Sequence, residues 1–272
     1  NIDMFRYLRA EVAKINYHYK DAIADFSKLV EGNTTSPGIY QALAQCRFAL
    51  GNYAQAAVDI EFAISATADN ADFYVTLSQI RRAQWRAEDA LEAAEKALVK
   101  DPSNVDAMEQ KALALVDLKK YSDASTAIGE AILNDGDDPL FMLERAWILT
   151  DYMNQPGAAK NYYNRVIGLE NTEEPLTDFA YLFSGDNKKG EILLEAQLAT
   201  DPNDPLMLYL ATCYYAQAGD TGKALDYMAR ALEAGYANYH DWNRADSARI
   251  NCAPIRDEKR FNELLTQYTS IF

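Results

Sequence analysis

The stretch from Ala71 to Asn104 decides the fold and reads ADFYVTLSQIRRAQWRAEDALEAAEKALVKDPSN. It holds two amphipathic segments joined by a short polar turn. In the second segment Ala90, Ala94 and Ala97 follow one another at spacings of four and three, which places them on one face of a helix. Pro102 cannot continue that helix. The stretch therefore predicts an antiparallel helix pair, too short to bury its apolar face unless copies of itself flank it.

Copies of this unit recur along the chain at a period of 34 residues. The alanine of the second segment returns as Ala22, Ala56, Ala90, Ala124 and Ala158, and Ala224 resumes the series after one interruption. Similar turns read GNYAQA at residues 51–56 and KKYSDA at residues 119–124, and Asp-Pro closes two units, at residues 101–102 and 201–202. In these features the chain resembles the tetratricopeptide repeat family, whose unit is a 34-residue helix–turn–helix.

The resemblance implies an all-α fold, an α-solenoid in which antiparallel helix pairs coil into a right-handed superhelix. We expect one domain, residues 1–272, of about seven repeats and a C-terminal cap of the bacterial type. The predicted repeats are residues 3–36, 37–70, 71–104, 105–138, 139–172, 173–204 and 205–238, and the cap is residues 239–272. Phe261, Leu264, Leu265 and Tyr268 share one apolar face, which we expect to cover the end of the stack.

Two features interrupt the regular pattern. The sixth repeat is two residues short, with a first helix expected from about Pro175, and Gly190 stands where the alanine belongs. It is either a drifted repeat or an opening where a partner enters. In the first repeat Arg9 resembles a family variant that predicts an ion pair with Asp25, since an inward-facing arginine needs a partner. Arg145 is placed similarly, but the position that matches the aspartate is Asn161.

The resemblance also implies that the first helix of each pair lines the concave side of the superhelix. The positions opposite the core then predict which residues face a partner. The predicted partner-binding residues are Gln41, Gln45, Phe48, Val75, Gln79, Arg82, Leu113, Leu143, Trp147 and Tyr209.

These residues divide into a polar and an apolar set. The glutamines and Arg82 suit hydrogen bonding to an extended peptide backbone. Leu143, Trp147 and Tyr209 predict apolar anchors, because a solvated face is rarely so apolar. The alternative is that the short sixth repeat tightens the coil and buries Leu143 and Trp147. The family's basic clamp for a C-terminal carboxylate is absent, since its positions hold residues such as Glu11 and Ala42.

Composition restricts the class of partner. The formal net charge of −15, with acidic and basic residues mixed along the chain, disfavours nucleic acid. No apolar run reaches the ~20 residues of a membrane span. The three cysteines, Cys46, Cys213 and Cys252, form no metal pattern and no disulfide framework. Cys46 and Cys213 lie within first-helix patterns and are expected to be packed or partly packed thiols. Localisation stays open between the cytoplasm and, if a signal peptide preceded Asn1, the bacterial periplasm or exterior.

Nothing in the sequence predicts an enzyme or a cofactor. The two histidines, His18 and His240, are far apart and lack a metal-ligand pattern, and acidic pairs such as 137–138 and 173–174 fall at repeat boundaries. We therefore predict a non-catalytic module that binds a protein or peptide through its concave face. The alternatives are a structural subunit of a larger assembly, such as a bacterial envelope complex, that uses its convex face or ends, and a small-ligand or enzymatic role. Oligomeric state is not predicted.

Overall fold

A computed structural model of the chain describes residues 2–32, 36–135, 138–169, 176–243, 250–268 and 270, and within them every regular element is a helix. The α-helices are α1 (Ile2–Ile15), α2 (Tyr19–Glu31), α3 (Pro37–Ala49), α4 (Tyr53–Ala66), α5 (Ala71–Ala83), α6 (Ala87–Lys100), α7 (Val105–Asp117), α8 (Tyr121–Asp135), α9 (Pro139–Trp147), α10 (Pro156–Ile167), α11 (Thr177–Ser184), α12 (Asn187–Thr200), α13 (Pro205–Ala218), α14 (Thr221–Glu233), α15 (Tyr239–Asn243) and α16 (Lys259–Gln267). A π-helical turn, Ile148–Tyr152, extends α9, and a 3-10 turn spans Ala253–Ile255.

The helices pack as successive pairs, α1 on α2 through α13 on α14, and each pair stacks on the next. The expected all-α solenoid is confirmed. The alanines at the 34-residue period are buried in the first four pairs, but in the fifth pair Ala158 is only half-buried and the next residue, Ala159, is fully buried instead. Ala22, Ala56, Ala90 and Ala124 are fully buried, and the Ser78 hydroxyl donates to the carbonyl oxygen of Ala90 at 2.8 Å. Because a larger side chain would separate the helices, the repeat requires a small residue here.

Each turn between the two helices of a pair contains a residue in the left-handed backbone region. Gly51 and Gly219 have φ of 76° and 83°, and Tyr17, Trp85 and Lys119 occupy the corresponding positions with φ of about 60°. One left-handed residue ends the first helix and reverses the chain. The turn therefore requires one residue in the left-handed region, and glycine, tyrosine, tryptophan and lysine all fill that position here.

The irregular fifth and sixth repeats have local causes. The altered turn of the fifth repeat follows the π-helical turn, and Asn154 takes the left-handed position. In the sixth repeat α11 has eight residues, and the predicted start at Pro175 lies outside the described residues, as do the acidic residues 137, 173 and 174. Gly190 is buried. A β-carbon at this position would lie 2.7 Å from the carbonyl oxygen of Asp178 and 2.5 Å from the hydroxyl of Tyr214, so there is no room for the expected alanine.

Polar pairs join the helices of the first two repeats. Arg9 donates to both carboxylate oxygens of Asp25 at 2.5 Å, which confirms the predicted ion pair. Asp59, one period after Asp25, pairs with Arg47 of α3. Arg145, which lacks a matching aspartate, lies instead over the ring of Tyr162, 5.2 Å from its centroid.

The last part of the chain returns to the first two repeats. Helix α16 packs on α14, with Phe261 and Leu264 buried. Before it, the segment 236–243, which we call the C-terminal return, contacts α3 and the first turn. Its Tyr236 ring lies 4.8 Å from that of Tyr17, and its His240 ring lies 4.2 Å from that of Phe48. Consequently the two ends of the solenoid touch, and the stack closes on itself.

Two further observations concern the chain as a whole. Among the described residues no helix is both long enough and apolar enough to span a membrane. Cys213 and Cys252 lie side by side, with their sulfur atoms 3.0 Å apart. Cys213 is thus a packed thiol, as expected, and the fold adds a neighbouring thiol from a position distant in sequence. Cys46 is buried elsewhere, between α2 and α3.

Candidate functional site

Five of the six apolar residues in the predicted partner-binding set lie inside the protein. Each of the five is at most 6% exposed, so the prediction that they are accessible is wrong. These residues are Val75, Leu113, Leu143, Trp147 and Tyr209. For Leu143 and Trp147, burial was the alternative left open by the sequence.

Neighbouring parts of the chain cover the two largest of these residues. The ring of Tyr209 stacks on Tyr236 at 4.7 Å and meets Trp242 edge-on at 5.0 Å, so the C-terminal return covers it. The ring of Trp147 meets Tyr152 of the π-helical turn edge-on at 5.2 Å. The apolar stripe therefore stabilises the closed solenoid instead of facing solvent.

Two of the predicted polar residues are also engaged within the chain. Arg82 is buried and its Nε donates to the carboxylate of Asp117 at 2.9 Å, which links α5 to α7. The side chain of Gln41 is half-buried and donates to the hydroxyl of Thr76 at 3.2 Å, which links α3 to α5. The prediction that Arg82 faces a partner is wrong, because its side chain holds two first helices together.

The remaining predicted residues converge on one opening. Gln45, Phe48 and Gln79 line a cavity of about 350 Å³, which we call the N-terminal cavity. Its other walls come from Lys14 at the end of α1 and from Asn238 in the C-terminal return. Gln45 is exposed, whereas Phe48 and Gln79 are half-buried. The cavity thus combines residues of the first three repeats with the returning end of the chain.

The polar groups of the N-terminal cavity are mainly neutral. The ammonium group of Lys14 is paired with the carboxylate of Glu11 at 2.9 Å. The tyrosines of the first turn also line the cavity, and burial raises the pKa of both Tyr17 and Tyr19 above the ordinary value. Both hydroxyls stay protonated at neutral pH. Amide and phenol groups of this kind donate and accept hydrogen bonds without selecting a charge.

Sequence reasoning missed Tyr17, Tyr19 and Asn238 as lining residues. Tyr17 and Tyr19 flank His18 in the first turn, at positions that would normally be solvated. Two aromatic residues in one short turn were an available signal, since such residues are usually covered. The contribution of Asn238 had no local signal, because it depends on the closure of the whole solenoid.

Among the residues that the structure describes, no group of three histidine, cysteine, aspartate or glutamate side chains could hold a metal ion. His240 shares a hydrogen bond of 2.9 Å between its Nδ1 and the hydroxyl of Tyr53. That contact belongs to the closure, so this histidine is a structural residue.

Comparisons with known proteins agree with the fold. A sequence model described as tetratricopeptide repeat matches residues 41–105. No curated protein matches the chain. Among solved structures, a tetratricopeptide repeat protein from Parabacteroides merdae is 13% identical, with a TM-score of 0.56 and coverage of 98% of both chains. The C-terminal part of a repeat protein from Cytophaga hutchinsonii is 21% identical, with a TM-score of 0.54 and coverage of 97% of this chain and 95% of that one.

A third similar structure is a thermophilic tetratricopeptide repeat protein from Thermus thermophilus. It is 16% identical, with a TM-score of 0.55, and the match covers 72% of this chain and 99% of that one. At these identities the structures bear on the fold alone, and the repeat model adds the matching sequence of residues 41–105. The helix pairs continue on both sides of that range. In the sequence of residues 41–105 and in the fold of its helix pairs, the chain is similar to the tetratricopeptide repeat family.

Proposed function

We propose that this protein is a non-catalytic interaction scaffold that binds an extended segment of a protein partner at the N-terminal cavity. The observation that supports this most directly is the convergence of Gln45, Phe48 and Gln79 on one opening of about 350 Å³. Tetratricopeptide repeats generally serve protein interaction. The acidic net charge of −15 makes a nucleic-acid partner unfavourable.

The chemistry of the cavity fits a peptide backbone. Among the described residues, no hydrogen bond holds the amide of Gln45 or Gln79, so each can donate to a carbonyl group and accept from an N–H group. Phe48 adds an apolar surface for one side chain of the ligand. Because Lys14 is already paired with Glu11, the cavity has no free charge to select an acidic tail. We therefore infer recognition of an uncharged stretch of backbone.

Site-specific crosslinking in the native cell tests this proposal. A photo-reactive benzoyl-phenylalanine is placed at Gln45 and, as a control, at exposed Glu95 of α6. We expect one partner to be crosslinked from position 45 but not from position 95, and mass spectrometry then identifies it. The affinity of that purified partner should fall about 30-fold in a Gln45→Ala, Gln79→Ala double variant, since two lost hydrogen bonds of about 1 kcal/mol each amount to about 2 kcal/mol.

The thermal unfolding of the double variant serves as its control and should match that of the parent. Equal crosslinking from positions 45 and 95, or an unchanged affinity in the double variant, would count against binding at the cavity. Loss of affinity together with a lower melting temperature would also count against it, because the residues would then act through the fold.

A second candidate function, docking of the N-terminal end within a larger assembly, is supported by the apolar face of α1. Phe5, Val12 and Ile15 are 75%, 58% and 69% exposed. The residues one period later, Ile39, Cys46 and Ala49, are buried where α2 covers α3. Helix α1 thus presents the face of a stacked first helix. A partner helix that is amphipathic, as α2 is, would cover it.

A Phe5→Asp, Val12→Asp double variant tests this second candidate. Introducing charge on the apolar face should release the protein from any large complex in native extract, as measured by native gel electrophoresis. Val99→Asp is the matched control, since Val99 is 79% exposed on α6 but is not part of this face. Identical migration of the double variant and the control would contradict docking through α1.

A further inference from the structure

Cys213 and Cys252 form an isolated pair of thiols in the interior. Their sulfur atoms are 3.0 Å apart across 39 positions of sequence, and both residues are fully buried. A bonded pair has a separation of about 2.05 Å, so the two atoms are within about an ångström of a covalent bond. Cys46 is buried in a separate cluster with residues of α2 and α3, and its sulfur has no such neighbour among the described residues.

Contacts on both sides of Cys252 fix its position against α13. The side chain of Gln217, one turn after Cys213, donates to the carbonyl oxygen of Asn251 at 3.0 Å. The side chain of Asn251 in turn accepts the N–H of Ala253 at 2.8 Å, and Ile255 is buried beneath α13 and α14. The backbone on each side of the pair is therefore already positioned, which is the condition under which a disulfide forms without strain.

We propose that Cys213 and Cys252 are a redox site, and that they form a disulfide which fastens the segment 250–255 to α13. The oxidant is a small-molecule disulfide such as oxidised glutathione. The two thiols lose two protons and two electrons as their S–S bond forms, and the S–S bond of the oxidant breaks to give two thiols.

The disulfide would close a loop that contains the C-terminal return. Residues 214–251 include α14, Tyr236 and His240, and the last two contact the first two repeats. A crosslink across this loop limits how far its residues can separate in the unfolded chain, so it favours the state in which they are docked. Oxidation would therefore stabilise the closed form of the solenoid, and with it the wall of the N-terminal cavity that Asn238 provides.

Burial determines when the bond can form. It raises the pKa of the Cys252 thiol well above the ordinary value, so in the folded protein the reactive thiolate is scarce. Both thiols are accessible while the chain folds. The test consequently uses refolding and not treatment of the native protein.

The experiment is refolding of the full chain from denaturant in a buffer of reduced and oxidised glutathione, followed by thiol counting after renewed denaturation. Three cysteines allow three pairings. We expect a single one, which leaves one reactive thiol, at Cys46. Tryptic digestion should join the peptide 190–223 to the peptide 250–256. Relative to the reduced protein, the melting temperature should rise by about 5 °C or more.

Three variants serve as controls. Cys46→Ser should keep the crosslink, whereas Cys213→Ala and Cys252→Ala should each lose it together with the rise in melting temperature. If one alanine variant fails to fold, the other still tests whether the crosslink and the rise in melting temperature are lost. The pairing itself is identified from the tryptic peptides of the refolded parent chain. Three reactive thiols after refolding, a crosslink to Cys46, or glutathione bound at position 252 in place of the crosslink would overturn the proposal.

Discussion

Gly190 is a single residue whose identity follows from its surroundings. It lies in the first turn of α12, against the carbonyl oxygen of Asp178 and the hydroxyl of Tyr214. That hydroxyl donates to the carbonyl oxygen of Asn187 at 2.9 Å, so it cannot move away without losing a hydrogen bond. The repeat pattern calls for alanine at this position, but the short helix α11 brings backbone too close for one.

Restoring the expected alanine should therefore destabilise the protein. A Gly190→Ala variant gains helix propensity but places a methyl group against backbone, and the overpacking should lower the free energy of unfolding by about 1–3 kcal/mol. Gly222→Ala in α14 is the matched control, because a β-carbon there meets only a carboxylate oxygen of Asp220, at 3.6 Å. The control should be neutral or slightly stabilising in urea unfolding. Equal stabilisation by both substitutions would contradict this account of Gly190.

Asp178 is a second residue of this region, and the burial of its carboxyl group leads to a testable prediction. It is fully buried, and one carboxylate oxygen accepts the N–H of Phe179 at 2.9 Å. Among the described residues the other oxygen has no hydrogen-bond partner. Burial raises the pKa of this carboxyl group to about 8. The group is therefore mainly protonated in the folded protein at neutral pH, whereas in the unfolded chain it is ionised.

The stability of the protein should consequently fall as pH rises. Between the unfolded pKa of 3.8 and the folded pKa of about 8, the folded state holds a proton that the unfolded state has released. The free energy of unfolding then decreases by up to about 1.4 kcal/mol per pH unit, and the stabilisation is lost as pH passes the folded value. Asp178→Asn removes this dependence. Urea unfolding of parent and variant at pH 5, 6 and 7 measures the difference in slope, and parallel slopes would contradict it.

At the scale of elements, the interface within one helix pair should couple several repeats. Ala90→Glu places a carboxylate at a fully buried position of α6, whose carbonyl oxygen accepts a hydrogen bond from Ser78 of α5. The expected loss is about 4 kcal/mol or more, and because each pair is stabilised by its neighbours, the second to fourth repeats should unfold together. Val99→Glu on the exposed side of α6 is the control. Amide hydrogen exchange in α3 to α8 measures how many repeats the substitution destabilises. An exchange pattern that matches the parent would refute the coupling.

The elements also show what the sequence could and could not predict. The helix pairs followed from the period of 34 residues, because Ala22, Ala56 and Ala90 are each set by contacts within their own pair. The Arg9–Asp25 ion pair was predictable for the same reason. The burial of Tyr209 was not predictable, since the residues that cover it, Tyr236 and Trp242, lie outside its own helix pair. A repeat pattern in the sequence reflects contacts within a helix pair. Contacts between parts of the chain that are distant in sequence leave no such pattern and are seen only in the folded structure.

At the scale of the whole molecule, closure depends on a few contacts between the C-terminal return and the first two repeats. Tyr53 and His240 share a hydrogen bond across 187 positions, and the rings of His240 and Phe48 are in contact. Tyr239 lies against Gly51, where a β-carbon would meet its ring at 2.8 Å. Gly51 also has a φ of 76°, so glycine serves both the turn and the close approach. A partner that enters the N-terminal cavity must fit beside this closure or displace it.

Removing the ring contacts should therefore open the solenoid without unfolding its helices. A Tyr239→Ala, His240→Ala double variant loses the hydrogen bond between His240 and Tyr53 and the ring contacts of His240 with Phe48 and Tyr53. Together these contribute about 2 kcal/mol, which corresponds to about a 30-fold larger open population. We expect faster hydrogen exchange in α3, a larger radius of gyration in small-angle scattering, and an unchanged helical circular dichroism signal. Trp85→Ala is the control, since it also removes an aromatic side chain but Trp85 is 74% exposed. If the double variant scatters and exchanges like the control, the contacts do not hold the ends together, and the N-terminal cavity would have to form without the return.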